Sequence, residues 1–329
     1  MKVLITGATG FVGSHLADRL KAKGYEIKCT IRKSSNLQWL EGKGFELVEA
    51  SLGNKESLVE AVKDVDYIFH VAGLTFAKND AEFLKGNREG TKNLIEAVYE
   101  NNPELKRFIF VSSQTVAGPS SLYESPVTED LLPNPLTAYA RSKKAAEEVV
   151  LSYKGKIPYT ICRAPAVYGP RDTAIFAVFK TVNMGLGTLM GLKEKYISLI
   201  HAYDLADGLI MAAESENAVD ETYFITSKEF YTWDYLIDTI KKTLGKKRIV
   251  KIRLPHFLVL TAAGVSQFLG KFSKKPPVFN FEKGVDFIQD YWICSPDKAE
   301  RDFGFTAKLS AEEGIKNTVE WYKEKKWLK

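Results

Sequence analysis

A chain of 329 residues is long for one hydrophobic core and short for three, so one large domain with a smaller appended lobe is the expectation. Hydrophobic residues at 45% and charged residues at 26% are near the averages of soluble proteins, and no run of 18 apolar residues offers a membrane-spanning helix. The net charge of +5 comes from bases interleaved with acids, so nucleic acid is not an expected partner.

Met1 and Lys2 lead straight into Val3-Leu4-Ile5-Thr6-Gly7, which leaves no room for a signal peptide and makes the cytosol the expected compartment. Cys29, Cys162 and Cys294 are isolated among apolar neighbours, a pattern for buried thiols rather than for disulfides or a metal site. Through residue 165, apolar runs alternate with helical patterns. That alternation predicts an α/β fold, a doubly wound parallel sheet with helices on both faces. Strands are expected at 2–6, 26–31, 45–49, 66–71, 107–112 and 158–163, with helices near 12–23, 56–63, 81–101 and 137–153.

The first strand runs into Thr6-Gly7-Ala8-Thr9-Gly10-Phe11-Val12-Gly13, which opens a helix. Gly7 permits the tight turn, Gly10 lets backbone approach a pyrophosphate at the positive helix end, and Gly13 lets helix and strand pack closely. Thr9, Phe11 and Val12 complete this cofactor-facing turn. At the end of the second strand, Arg32-Lys33-Ser34-Ser35 stands where a carboxylate would accept from a ribose hydroxyl. A carboxylate would repel a 2'-phosphate, whereas Arg32 can grip one in bidentate fashion with Lys33 and Ser35 nearby. NADP is therefore favoured as cofactor, with NAD as the alternative.

Phe108 to Ser113 reads as a buried strand tipped with hydroxyls at the end where ligands bind in such sheets. Ser113 is the residue expected to hold a substrate oxygen, and Ser112 points the other way if the strand stays regular. Tyr139 and Lys143 are four apart on a helix and share a face. A phenol has a pKa of about 10 and must fall by ~3 to exchange a proton near neutrality, a shift expected from Lys143 and an oxidised nicotinamide. A second Tyr-x-x-x-Lys, at Tyr322 and Lys326, sits in a charged tail without a hydroxyl-tipped strand before it. Among the histidines, His70 and His201 read as structural, His15 as helix surface or packing, and His256 has no role.

The glycine spacing resembles that of the short-chain dehydrogenase/reductase superfamily. Phe69-His70-Val71-Ala72-Gly73, Asn87-x-x-Gly90-Thr91-x-Asn93, Tyr139-Ala-Arg-Ser-Lys143 with Pro135 upstream, and Arg163-x-Pro165-x-Val167-Tyr168-Gly169-Pro170 are similar to motifs of its extended branch. The resemblance implies that residues 1–165 form an NADP-binding Rossmann domain and 166–329 mainly a substrate lobe. A strand and helix within 195–213 are expected to return to the main sheet, with an isolated strand at 222–226. It implies that Val71, Ala72, Gly73, Asn87, Pro165 and Val167 line the cofactor, while Thr75, Gln114, Ala166 and Tyr168 lie on the substrate side. Ser51-Leu52 stands where the family often has Asp-Leu against adenine. A homodimer through the helices near 81–101 and 137–153 is also implied.

Extended members divide into nucleotide-sugar epimerases or dehydratases and ketone or alcohol enzymes that look 3β-hydroxysteroid-dehydrogenase-like or dihydroflavonol-reductase-like. Ala166 stands where the sugar enzymes commonly have Asn, Tyr196 to His201 replaces their Arg-Asp-Phe, and Gln114-Thr115 offers none of the dehydratase acids. The resulting expectation is an NAD(P)-dependent oxidoreductase that interconverts a ketone and a secondary alcohol on a lipophilic small molecule, with Tyr139 as acid and base. The alternatives are a nucleotide-sugar epimerase or dehydratase and a non-catalytic NADP-binding sensor. Leu254 to Phe272 is apolar, flanked by Lys251, Arg253, Lys274 and Lys275. It reads first as a packed helix, and next as a cover for a lipophilic substrate or a peripheral contact with an anionic membrane. The basic cluster at 241–248 reads as a solvated helix end.

Overall fold

A computed structural model describes residues 1–270 and 279–328. The first half runs β1 (Lys2–Thr6), α1 (Phe11–Ala22), β2 (Glu26–Ile31), β3 (Glu46–Glu49), α2 (Val59–Val62), β4 (Tyr67–His70), α3 (Asp80–Phe83), α4 (Gly90–Asn101), β5 (Arg107–Ser113), α5 (Ala138–Leu151) and β6 (Tyr159–Ala164). It continues with β7 (Ala166–Tyr168), α6 (Phe176–Asn183), β8 (Leu186–Met190), β9 (Tyr196–His201), α7 (Ala202–Glu214), β10 (Glu221–Phe224), β11 (Phe230–Thr232) and α8 (Trp233–Thr243). The chain ends with β12 (Val250–Leu254), α9 (His256–Gly270), α10 (Phe281–Ile288), β13 (Tyr291–Trp292), α11 (Asp297–Phe303) and α12 (Ala311–Glu324).

Seven parallel strands form the main sheet in the order β10-β6-β5-β4-β1-β2-β3, so the winding reverses between β1 and β4. That reversal opens a crevice at the carboxyl ends of those strands. Alternation along each strand feeds two cores, as expected for a sheet buried on both faces. Val3, Ile5 and Ile109 join the core with α1 and α7, whereas Leu4, Phe108 and Phe110 join the core with α2, α4 and α5. A third core, built around Phe179, Leu199, Ile237 and Tyr322, belongs to the second lobe.

The expected helix at 81–101 is broken into α3, a π-helical run Leu84–Glu89 and α4. The strand-and-helix return expected within 195–213 divides between layers. β9 pairs with β7, β11 and β13 in a smaller sheet, while α7 alone reaches the main sheet and packs beside α1. The physical reason is the composition of α7, whose nine buried residues include the small Ala202, Ala206, Gly208 and Ala212. A Cβ at Gly208 would stand 2.4 Å from Ile225 and 2.8 Å from Phe305. The seventh strand of the main sheet is instead β10, which takes in most of the stretch expected to be isolated at 222–226.

The apolar stretch 254–272 supplies α9, and its continuation from Lys271 through Lys274 and Lys275 lies outside the described residues. Among the described residues no helix is long and apolar enough to cross a membrane. Cys29, Cys162 and Cys294 are all buried free thiols.

Candidate active site

The glycine turn sits at the sheet's reversal point. Gly7 adopts φ +78°, and a Cβ there would lie 2.7 Å from the Ala72 nitrogen that follows β4. At Gly13 a Cβ would be 2.3 Å from the Gly7 carbonyl oxygen, so any side chain would force α1 off β1. Gly10 caps α1 with no side-chain acceptor, and the first turn, which includes Phe11 and Val12, holds no acid. Those first-turn N–H groups are therefore left for an anion, the arrangement that a dinucleotide pyrophosphate requires. Thr9 lies half-buried in the same turn.

At the end of β2, Arg32 and Lys33 are exposed, and the Arg32 guanidinium has no partner among the described residues. Ser35 holds the loop in place by accepting from the Arg32 amide at 2.9 Å, and Lys33 faces Glu49 at 3.8 Å. Ser51 accepts from the Gly53 amide at 3.3 Å. Leu52 packs where a Gly90 side chain would otherwise go, and its carbonyl accepts from Asn93 at 2.7 Å.

Beyond β4 the chain passes through half-buried Val71 and Ala72 to exposed Gly73 and Thr75. Asn87 clamps this loop. Its Oδ1 accepts from the Leu74 amide at 2.6 Å, and its Nδ2 donates to the Leu74 carbonyl at 3.1 Å and to Ser142 Oγ at 2.8 Å. A Cβ at Gly73 would sit 3.3 Å from Asn87 Oδ1 and 3.9 Å from Lys143 Nζ, so the bare glycine keeps open the space beside Lys143. His70 is tied to Thr6 at 2.7 Å and to Thr91 at 2.9 Å, and burial pulls its pKa down to about 3, which keeps the ring neutral. His15 is buried against the Pro170 carbonyl at 2.7 Å, and His201 caps α7 by accepting from the Tyr203 amide at 3.2 Å.

The catalytic set expected from sequence comes together at the carboxyl end of β5. Ser113 ends that strand and accepts from Thr115 Oγ1 at 2.9 Å, close enough to the Tyr139 phenol for its hydroxyl to lower that pKa. Tyr139 opens α5, which Thr137 caps by accepting from the Ala140 amide at 3.2 Å. Lys143, one turn on, donates to the Val111 carbonyl at 2.8 Å and lies 4.1 Å above the Phe110 ring. Ser112 faces away, as strand alternation requires, and donates to Glu147 at 2.5 Å.

The electrostatics depart from the sequence expectation in one respect. Tyr139 is not lowered by Lys143; burial raises its pKa, the charge of Asp286 adds to the rise, and the Ser113 hydrogen bond only partly opposes it. Lys143 is itself pulled down to about 8 by burial, with Glu147 opposing.

On the expected substrate side, Gln114 is buried directly after Ser113, and its Nε2 has no partner among the described residues. Pro165, Ala166 and Val167 are half-buried where β6 passes into β7. Tyr168 is a correction. It is buried in the second lobe's core with its ring 5.2 Å from His201, away from the Ser113 end of β5. The second Tyr-x-x-x-Lys is not a site either: Tyr322 is fully buried and donates to the Asp172 carbonyl at 2.8 Å, and Lys326 lies beyond the end of α12.

Two acids on α10 were not legible in the sequence. Glu282 accepts from the Ala138 amide at 2.7 Å and from Arg141 at 2.8 Å, and so docks α10 on the start of α5. Asp286, one turn further, lies close enough for its charge to act on Tyr139.

Residues 3–225 match the family model described as the NAD dependent epimerase/dehydratase family. A ceramide reductase of Caulobacter vibrioides (strain NA1000 / CB15N) is 28% identical over 326 residues, covering 99% of this chain and 96% of that protein. The crystal structure of gox2253 matches with a TM-score of 0.82 at 25% identity, covering 99% of both chains. A UDP-glucuronic acid 4-epimerase from Bacillus cereus, in complex with UDP-glucuronic acid and NAD, matches with a TM-score of 0.76 at 25% identity, covering 98% of this chain and 99% of that one.

Proposed function

The chain belongs to the NAD dependent epimerase/dehydratase family, and on that premise we propose that it interconverts a ketone and a secondary alcohol on a lipophilic substrate, with NADP favoured over NAD. The observation that carries this reading is the docking of α5 on the carboxyl end of β5, where Lys143 donates to the Val111 carbonyl at 2.8 Å two residues before Ser113 and Tyr139 lies one turn earlier on the same helix. The first-turn N–H groups of α1 would hold the pyrophosphate, Lys143 the nicotinamide ribose, and Arg32 a 2'-phosphate. When bound, the nicotinamide cofactor supplies or removes the hydride.

The protein's own part is to orient one oxygen and move one proton. Ser113 holds the reacting oxygen with its hydroxyl. Tyr139 Oη gives that oxygen a proton in reduction and takes it back in oxidation. Burial favours the neutral phenol, the form that donates a proton to the reacting oxygen.

A lipophilic substrate is supported by α9, which carries no charged residue and exposes Phe257, Leu258, Val265, Phe268 and Leu269. It packs on α10, whose Glu282 docks on the start of α5 one residue before Tyr139. The same face is the place for a peripheral contact with an anionic membrane, which sedimentation with phosphatidylserine vesicles would test. A homodimer through α4 and α5 accords with exposed Tyr99 and Leu151 on those helices, and light scattering would test it.

A titration of protein fluorescence with NADPH and NADH, followed by reduced-cofactor absorbance against lipophilic ketones and nucleotide sugars, tests the proposal. NADPH binding that weakens in Arg32→Ala, together with ketone-dependent oxidation, supports it. Preference for NADH removes the NADP assignment. Conversion of a nucleotide sugar without net cofactor consumption replaces the reaction with epimerisation. Tight NADPH binding with no turnover of any substrate leaves a sensor.

A further inference from the structure

The segment that carries Arg32 is fastened at its far end to the second lobe. Between β2 and β3 the chain forms no helix or strand. Arg32 to Ser35 close a turn at its start, where the Arg32 carbonyl accepts from the Ser35 amide at 2.9 Å. A cation that must grip a phosphate from an irregular segment works best when the segment is ordered beforehand, because ordering it on binding subtracts from affinity.

That order comes from residues 37–43. Leu40 is buried in the core shared by α1 and α7, and Lys43 pairs with Asp18 on α1. Trp39, half-buried between them, reaches the other lobe. Its ring centroid lies 4.9 Å from the Arg171 guanidinium carbon and 5.8 Å from the Trp321 ring of α12. A guanidinium over an indole face is the most favourable form of this contact.

Arg171 is firmly held for the part. It adopts φ +70°, a conformation that costs free energy in a residue with a side chain and persists where its surroundings enforce it. The turn around it is fixed from two sides. The Pro170 carbonyl meets His15 at 2.7 Å, Arg171 Nη2 donates to Asp18 at 2.7 Å, and the Asp172 carbonyl accepts from Tyr322 at 2.8 Å. Asp18 therefore joins Lys43 and Arg171 on the helix whose first-turn N–H groups are left for an anion.

From the Arg171–Trp39–Trp321 stack and the strained turn behind it, we infer that Trp39 is a positioning residue for NADP selectivity. It holds residues 32–35 in the form that receives a 2'-phosphate, without touching the cofactor itself. This rests on the assignment of Arg32 to that phosphate. NADH offers a hydroxyl there and draws little from an ordered guanidinium, so the stack contributes to NADPH affinity and not to NADH affinity.

The test measures NADPH and NADH dissociation constants by calorimetry for wild type, Trp39→Ala, Trp39→Phe, Arg32→Ala and the Arg32→Ala/Trp39→Ala pair, with thermal melts alongside. Trp39→Ala is expected to weaken NADPH about tenfold and NADH less than about twofold. In the Arg32→Ala background the same change has little further effect, since it acts through Arg32. Trp39→Phe keeps an aromatic face under Arg171 and carries the test should the alanine variant not fold; it lowers the NADPH preference by about twofold. A preference unchanged in the folded Trp39 variants, or Trp39→Ala and Arg32→Ala losses that add in full, overturns the inference while leaving Arg32 in its role. A wild type that binds NADH as tightly as NADPH overturns the NADP assignment and this inference with it.

Discussion

Arg163 lays its guanidinium bidentately against Glu147, with Nε at 3.0 Å from one carboxylate oxygen and Nη2 at 2.7 Å from the other. Ser112 adds a third bond to the same carboxylate. The pair is buried and joins α5 to β6 one turn beyond Lys143. Removing one partner strands the other charge, whereas replacing both does not. Glu147→Ala is expected to lose about 3–5 kcal/mol in urea denaturation, and Glu147→Leu with Arg163→Leu to lose less than either single change. Additive losses in the double variant would show that the two residues act independently.

Lys143 provides a stability prediction opposite in sign to its functional one. Its pKa is about 8 in the folded chain against an ordinary 10.5, so folding disfavours the ammonium. The unfolded chain then binds more protons between those two values, and wild-type stability rises with pH across that window. Below pH 8 the whole penalty is present. Lys143→Met removes it, and is expected to raise stability at pH 7 by ~1–3 kcal/mol and to lose most of that advantage by pH 10. Thermal melts at the two pH values check this; a destabilised Lys143→Met at pH 7 would mean that the Val111 and Phe110 contacts outweigh desolvation.

Gly13→Ala places a Cβ 2.3 Å from the Gly7 carbonyl oxygen. Backbone must move to admit it, a change expected to cost ~1–3 kcal/mol and to weaken reduced-cofactor binding at least tenfold, since α1 and the turn shift together. Fluorescence titration reads the affinity, and a thermal melt the stability.

Tyr322→Phe separates the two Tyr-x-x-x-Lys pairs. The Tyr322 hydroxyl donates to the buried Asp172 carbonyl, so its removal should lower stability by ~1–2 kcal/mol and leave kcat unchanged. A fall in kcat larger than the melt can explain would implicate the second pair.

The glycine turn and the Ser113–Tyr139–Lys143 set were legible because their chemistry is local. Spacing fixes the turn, helix periodicity fixes the tyrosine and lysine, and strand alternation separates Ser112 from Ser113. The rest depends on packing between lobes. Tyr196 to His201 is an apolar run that would suit either sheet, and only the small residues of α7 decide that the helix and not the strand meets the main one. Tyr168 shares a motif with Val167, yet its ring turns into the second core. Glu282 and Asp286 bear on α5 and Tyr139 only through the docking of α10, which no pattern within the acids' own neighbourhood announces.

The most direct measurement of the reaction is isotope transfer. NADPH dideuterated at nicotinamide C4 is incubated with the enzyme and a lipophilic ketone, and the product is analysed by mass spectrometry. The expected result is one deuterium on the carbinol carbon, with the rate reduced by about 10²–10⁴-fold in Tyr139→Phe at unchanged cofactor affinity. Product formed without deuterium, or transfer that persists at the wild-type rate in Tyr139→Phe, would contradict hydride transfer with Tyr139 as the proton donor.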